Sequence, residues 1–109
     1  MKRLVFFFVS LLLTFMISNS VMAADINHGE EIFTANCAAC HVGGNNVIMP
    51  EKTLKIEALE KFTMNSVDAI TNQVTNGKNS MPAFGGRLSE TDIEDVANYV
   101  LTQAKDEAW

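Results

Sequence analysis

Cys37-Ala38-Ala39-Cys40-His41 is the stretch on which the reading of this 109-residue chain turns. Two thiols three positions apart, followed at once by an imidazole, form the attachment signature of haem c. The spacing lets both thiols make thioether links to the vinyl groups of one porphyrin, and the adjacent imidazole then sits beneath the iron as the proximal ligand. A thioredoxin-type dithiol needs a βαβ context, which the helical pattern around the motif denies. Zinc needs four well-placed ligands, and only His28 is left to join this cluster. With two cysteines in the whole chain, a disulfide framework is excluded as well.

Upstream of the motif, Met1-Lys2-Arg3 gives a positive start and Leu4 to Ile17 an apolar run broken only by Ser10 and Thr14. Val21 and Ala23 supply the small residues of a cleavage site, so residues 1–23 are expected to be a removed secretory signal and Ala24 the first mature residue. A membrane anchor needs about 20 apolar residues, more than this run offers. Residues 24–109 are then one domain, with no membrane insertion after cleavage. They carry six basic against thirteen acidic residues, a formal charge of −7, which argues against nucleic-acid binding. So short a domain buries too little apolar surface to be comfortably stable alone, and a covalent haem supplies the missing core.

Hydrophobic periodicity predicts an all-α domain, with four or so short helices. Ser89 and Asp92 form a capping box for a last helix in which Ile93, Val96, Ala97, Val100, Leu101 and Ala104 share a face. A first helix is expected from an Asp25 cap to the cysteines, with Ile26, Ile32 and Phe33 apolar and Gly29 offering a close approach, for which Tyr99 is the candidate neighbour. Asn65 or Ser66 caps a helix with Val67, Ile70 and Val74 inside and Gly77 at its end, and a weaker helix spans about Thr53 to Phe62. The segments His41 to Pro50 and Lys78 to Leu88 follow neither period and read as loops. No internal repeat is present.

The second axial position separates a carrier from a catalyst. After the leader, Met49, Met64 and Met81 remain. Met64 stands at a helix approach, where a methionine packs in the core. Met49 lies eight residues beyond His41, and a tether of about 3.3 Å per residue reaches round a haem edge, so reach alone does not exclude it. Met81 is preferred because Pro82 stiffens its loop and Gly85-Gly86 let the backbone pass close to the macrocycle. A His and Met pair saturates the iron and stabilises its ferrous state, the chemistry of an electron carrier and not of an enzyme.

Asn36-Cys37-Ala38-Ala39-Cys40-His41-Val42-Gly43-Gly44-Asn45-Asn46, the run from Asn76 through Met81-Pro82-Ala83-Phe84-Gly85-Gly86-Arg87-Leu88, and the Tyr99-Val100-Leu101 helix ending near Trp109 together resemble the cytochrome c6 family. The resemblance covers essentially all of residues 24–109. It implies a class I cytochrome c fold around one covalent haem c. It further implies a soluble lumenal carrier, a monomer, moving one electron from the cytochrome b6f complex to photosystem I. By position, Cys37 and Cys40 hold the haem, His41 and Met81 ligate iron, Gln73 lies near the ring, and Arg87 stands close to the exposed haem edge. The bare export signal suits the thylakoid lumen of a cyanobacterium or a red algal plastid, with the acidic balance pointing to the alga. The same fold also serves respiratory chains that feed a terminal oxidase, which would place it in a periplasm. A haem enzyme or gas sensor would need Met81 to dissociate.

The acids Glu90, Asp92, Glu94 and Asp95 are explained as well by the helix dipole as by docking, whereas the overall negative field favours a basic partner. His28 is expected to be solvated on the first helix, Phe33 and Tyr99 to be core, and Trp109 to pack back or hang loose.

Overall fold

The computed structural model describes residues 24–109; the expected leader, residues 1–23, lies outside the described residues. Helix α1, Ile26–Asn36, begins where the Asp25 carboxylate accepts the His28 backbone N–H at 3.0 Å, satisfying one donor that the first turn leaves free. It ends at Cys37, whose N–H donates to the Phe33 carbonyl. The one-turn helix α2, Ala38–His41, follows directly and runs into a 3-10 turn at Val42–Gly44. This short turn is additional to the four helices expected.

Helix α3 covers only Ile56–Lys61, shorter than the Thr53 to Phe62 that spacing predicts. Two of the missing residues spend their backbone donors elsewhere: Leu54 N–H reaches the Gly44 carbonyl at 2.7 Å, and Lys55 N–H reaches Thr53 Oγ1 at 3.3 Å. Helix α4, Val67–Asn76, is capped by Ser66, not Asn65, and stops at Gly77, whose φ of +71° favours a residue without Cβ. Helix α5, Glu90–Lys105, carries the expected reciprocal capping box between Ser89 and Asp92. Among the described residues there is no strand, only an isolated antiparallel bridge between Lys78 and Met81.

Helix α5 is the centre of the packing and touches α1, α3 and α4. Its face of Ile93, Val96, Ala97, Val100, Leu101 and Ala104 is buried, each larger side chain stabilising the fold by about 2 kcal/mol. The crossing with α1 is set by Gly29, where a Cβ would fall 2.2 Å from the Asp95 carbonyl oxygen and 2.8 Å from Tyr99 Cβ. The approach to Tyr99 read from the spacing is therefore real. Phe33 and Tyr99 are both buried, their rings 5.5 Å apart, and Trp109 packs back onto them at 5.2 and 6.0 Å.

Beside this crossing His28 is not simply solvated. Its Nδ1 lies 2.9 Å from Asp95 Oδ2 and its Nε2 3.6 Å from Asp92 Oδ1. The buried Asp95 carboxylate accepts the Asp25 N–H on its other oxygen at 2.9 Å, so both oxygens are satisfied. The hydrogen bond to Asp95 holds the His28 pKa above 6.5, and the charges of Asp92 and Asp25 add to the effect.

Candidate functional site

An apolar cavity opens between the inner face of α5 and the two loops. Its wall includes Phe33 from α1, Leu54, Leu59 from α3, Ile70 and Val74 from α4, and Val96 and Val100 from α5. Onto this wall the structure also brings Cys37, Cys40, His41 and Met81. The four come from two segments forty residues apart in the chain, joined only by the fold.

The two thiols are delivered by the joint between α1 and α2, where Cys40 and His41 N–H both donate to the Cys37 carbonyl, at 3.2 and 2.9 Å. Burial pushes the Cys37 thiol up to about 11, with Cys40 adding to the rise. A thiol held protonated is the opposite of an activated thiolate, which counts against dithiol redox chemistry in the haem-free chain. The imidazole of His41 is oriented from behind: its Nδ1 lies 2.9 Å from the Asn45 carbonyl oxygen. A carbonyl only accepts, so the proton sits on Nδ1 and Nε2 keeps its lone pair for a metal.

On the opposite chain segment, Lys78 N–H donates to the Met81 carbonyl and Met81 N–H to the Lys78 carbonyl, at 3.0 and 2.9 Å. This closed turn fixes the Met81 backbone. Gly77 makes it possible, since a Cβ there would come within 2.7 Å of the Met81 oxygen and 2.8 Å of Ala83 N. Gly85 and Gly86 stand apart from this turn. Gly85 packs against Thr75 at the end of α4, Gly86 has open space around it, and neither lines the cavity.

Met49 and Met64 line the same cavity as Met81, so location alone does not choose among three thioethers. Met81 differs in that Gln73 Nε2 lies 3.5 Å from its sulfur, in position to donate to it. Gln73 itself is on the wall. Arg87 is not; its guanidinium stacks over the Phe84 ring at 5.5 Å. Around the site Val42, Val47 and Ile48 are exposed, and Lys52 and Lys61 each stand 5.4 Å from the Phe62 ring centre. Sequence reasoning did not assign Asn45 or Trp109 a part in the site, Trp109 because its partner Leu54 is far away in the chain. The Asn45 contact is local, four residues after His41, but it is made by a backbone carbonyl, which residue type does not announce.

Two soft thiol sulfurs, one imidazole held through its Nδ1 and a thioether on an otherwise apolar wall suit a large planar apolar group carrying iron. The donor set and the cavity therefore fit a covalent haem c. Among the described residues no helix is long and apolar enough to cross a membrane, and no cluster of acids, histidines and cysteines is arranged for a separate metal ion.

Comparison with known proteins leads to the same group. The family model described as cytochrome c oxidase, cbb3-type, subunit III, matches residues 24–100. Cytochrome c6 of Bumilleriopsis filiformis is 76% identical over 86 residues, covering 79% of this chain and 99% of the relative. Cytochrome c6 of Cyanidioschyzon merolae is 67% identical over 99 residues, covering 86% and 94%. The crystal structure of cytochrome c6 from the diatom Phaeodactylum tricornutum superposes with a TM-score of 0.75 at 57% identity, covering 78% of this chain and 99% of that one. With its helical fold and two cysteines on one apolar cavity, the chain carries the domain that the family model describes and belongs to the cytochrome c6 family, electron carriers of class I cytochrome c fold with one covalently attached haem c.

Proposed function

We propose that this chain is a diffusible one-electron carrier of the thylakoid lumen that takes electrons from the cytochrome b6f complex and delivers them to photosystem I. The observation that supports it is the convergence of both thiols, the His41 imidazole and the Met81 thioether on one apolar wall. In this reading Cys37 and Cys40 hold the haem through thioether links, and His41 and Met81 are the iron's axial ligands. The haem, when bound, supplies one-electron exchange between ferric and ferrous iron. Asn45 keeps the proton on His41 Nδ1 and so directs Nε2 to the metal. The Gln73 amide, donating to Met81 sulfur, withdraws electron density from it and favours the ferrous form. The apolar side chains exclude water, which limits reorganisation when charge changes.

The formal charge of −7 over residues 24–109 suits a basic docking site, with encounter accelerated by attraction and weakened by salt. Nine of the thirteen acids lie in 25–31 and 90–107, the first and last helices and the residues flanking them, while five of the six cations lie in 52–87. Contacts of such carriers are small and brief. The match of residues 24–100 to an oxidase-subunit family favours a second reading, delivery to a terminal oxidase, in which the same four residues act alike.

Visible spectra of oxidised and reduced holoprotein test the ligand set. The ferric wild type is expected to show the weak long-wavelength band of sulfur on iron, and the ferrous form to resist carbon monoxide. Met81→Ala removes the band, admits carbon monoxide and lowers the potential. A band that survives in Met81→Ala and vanishes in Met49→Ala transfers the role to Met49. Flash-induced oxidation by purified photosystem I, slowing as salt rises, tests the partner; faster transfer to an oxidase than to the photosystem supports the second reading.

A further inference from the structure

A chain of contacts runs from Trp109 to the ring of His41. The Trp109 ring lies against Gly44, where a Cβ would come within 2.5 Å of its Cγ. Gly44 has a φ of +76°, so this backbone both accepts the indole face and turns as only glycine readily does. The indole Nε1–H donates to the Leu54 carbonyl at 3.1 Å, and Leu54 N–H donates back to the Gly44 carbonyl at 2.7 Å. Gly44 and Leu54 are thereby held as one unit beneath the indole. The next residue, Asn45, presents the carbonyl that accepts His41 Nδ1–H. The far side of this loop is tied to the motif itself, through Val47 N–H to the Cys40 carbonyl at 3.0 Å. Trp109 ties the near side to the core, through the rings of Phe33 and Tyr99.

We propose that Trp109 is a positioning residue for His41, setting the Asn45 carbonyl against Nδ1–H and so fixing the orientation and basicity of Nε2 toward the haem iron. The inference rests on the reading of His41 as an axial ligand. A strong hydrogen bond at Nδ1 makes the imidazole a better donor, which stabilises ferric iron. Weakening it raises the potential and frees the Nδ1 proton to exchange.

The test compares holoprotein of the wild type, Trp109→Ala, Trp109→Phe and Leu101→Ala, the last a buried core position off the cavity wall. The readouts are the midpoint potential and, by NMR of the reduced protein, the exchange rate of His41 Nδ1–H. Trp109→Ala is expected to raise the potential and to speed exchange about tenfold, the equivalent of one hydrogen bond's net stabilisation. Trp109→Phe keeps a ring on Gly44 without the donor and falls between. Leu101→Ala lowers the melting temperature and leaves both readouts in place. The inference is overturned if both Trp109 variants melt earlier with unchanged potential and exchange, or if Leu101→Ala shifts the readouts as far. Should Trp109→Ala not fold, Trp109→Phe alone decides. A wild type in which the His41 ring proton carries no haem shift overturns the ligand reading itself, an outcome distinct from either.

Discussion

Where α1 crosses α5, backbone approaches backbone over Gly29, three aromatic rings close the end, and a buried carboxylate has both oxygens occupied. Around the cavity, residues 42–55 and 77–88 contain nothing longer than a 3-10 turn and a two-residue bridge, and expose Val42, Val47 and Ile48. The helix pair has partners of its own. The loops instead border an apolar cavity. One part of the molecule is thus a packed frame, and the other completes its core with a prosthetic group.

The largest expected break in this contrast comes from withholding the haem. Cys37→Ala/Cys40→Ala should abolish cooperative melting and most helical ellipticity, with any residual hydrogen-exchange protection confined to α1 and α5. Protection that persists in residues 42–55 would show that the loops stand unaided. Next in size is an attack on the frame: Gly29→Val must push α1 away from the Asp95 carbonyl and should destabilise by about 3 kcal/mol in denaturant titration. The potential should hardly move while the protein remains folded.

Gln73→Val is the converse, touching the site and sparing the frame. Loss of the donor to Met81 sulfur should lower the midpoint potential, read by redox titration, with a melting temperature close to wild type. The smallest effect belongs to His28. Its folded pKa lies above 6.5, so the stability it adds is fully present below 6.5 and is lost as pH rises through the folded value. The melting temperature of wild type relative to His28→Gln should therefore be greatest in mild acid and converge on the alkaline side. A gap that widens with pH would contradict the pairing with Asp95.

The frame and the motif were legible because their signals are local. The capping box at Ser89, the Asp25 cap and the apolar face of α5 are spacings of three and four residues, and the thiols and imidazole are contiguous. Fold class and the placement of Cys37, Cys40, His41 and Met81 on one cavity wall follow from such signals together with the family resemblance. What escaped is held by partners far away in the chain. Trp109 meets Leu54 across 55 residues, and His28 meets Asp95 across 67. The overlong reading of α3 has the same origin, because Leu54 N–H is claimed by Gly44 in a loop ten residues earlier. Apolar spacing also could not separate three methionines that all reach the wall, nor show that Gly77, not Gly85-Gly86, lets the Met81 loop fold tightly.

Val96 and Val100 supply part of the cavity wall, yet they stand almost sixty residues after the cysteines. During synthesis the thiols therefore emerge long before the enclosure that will surround them can close. That interval leaves both sulfurs accessible before the cavity forms. Arrival of the final helix then seals the work, making the order of the polypeptide a timetable for its own maturation.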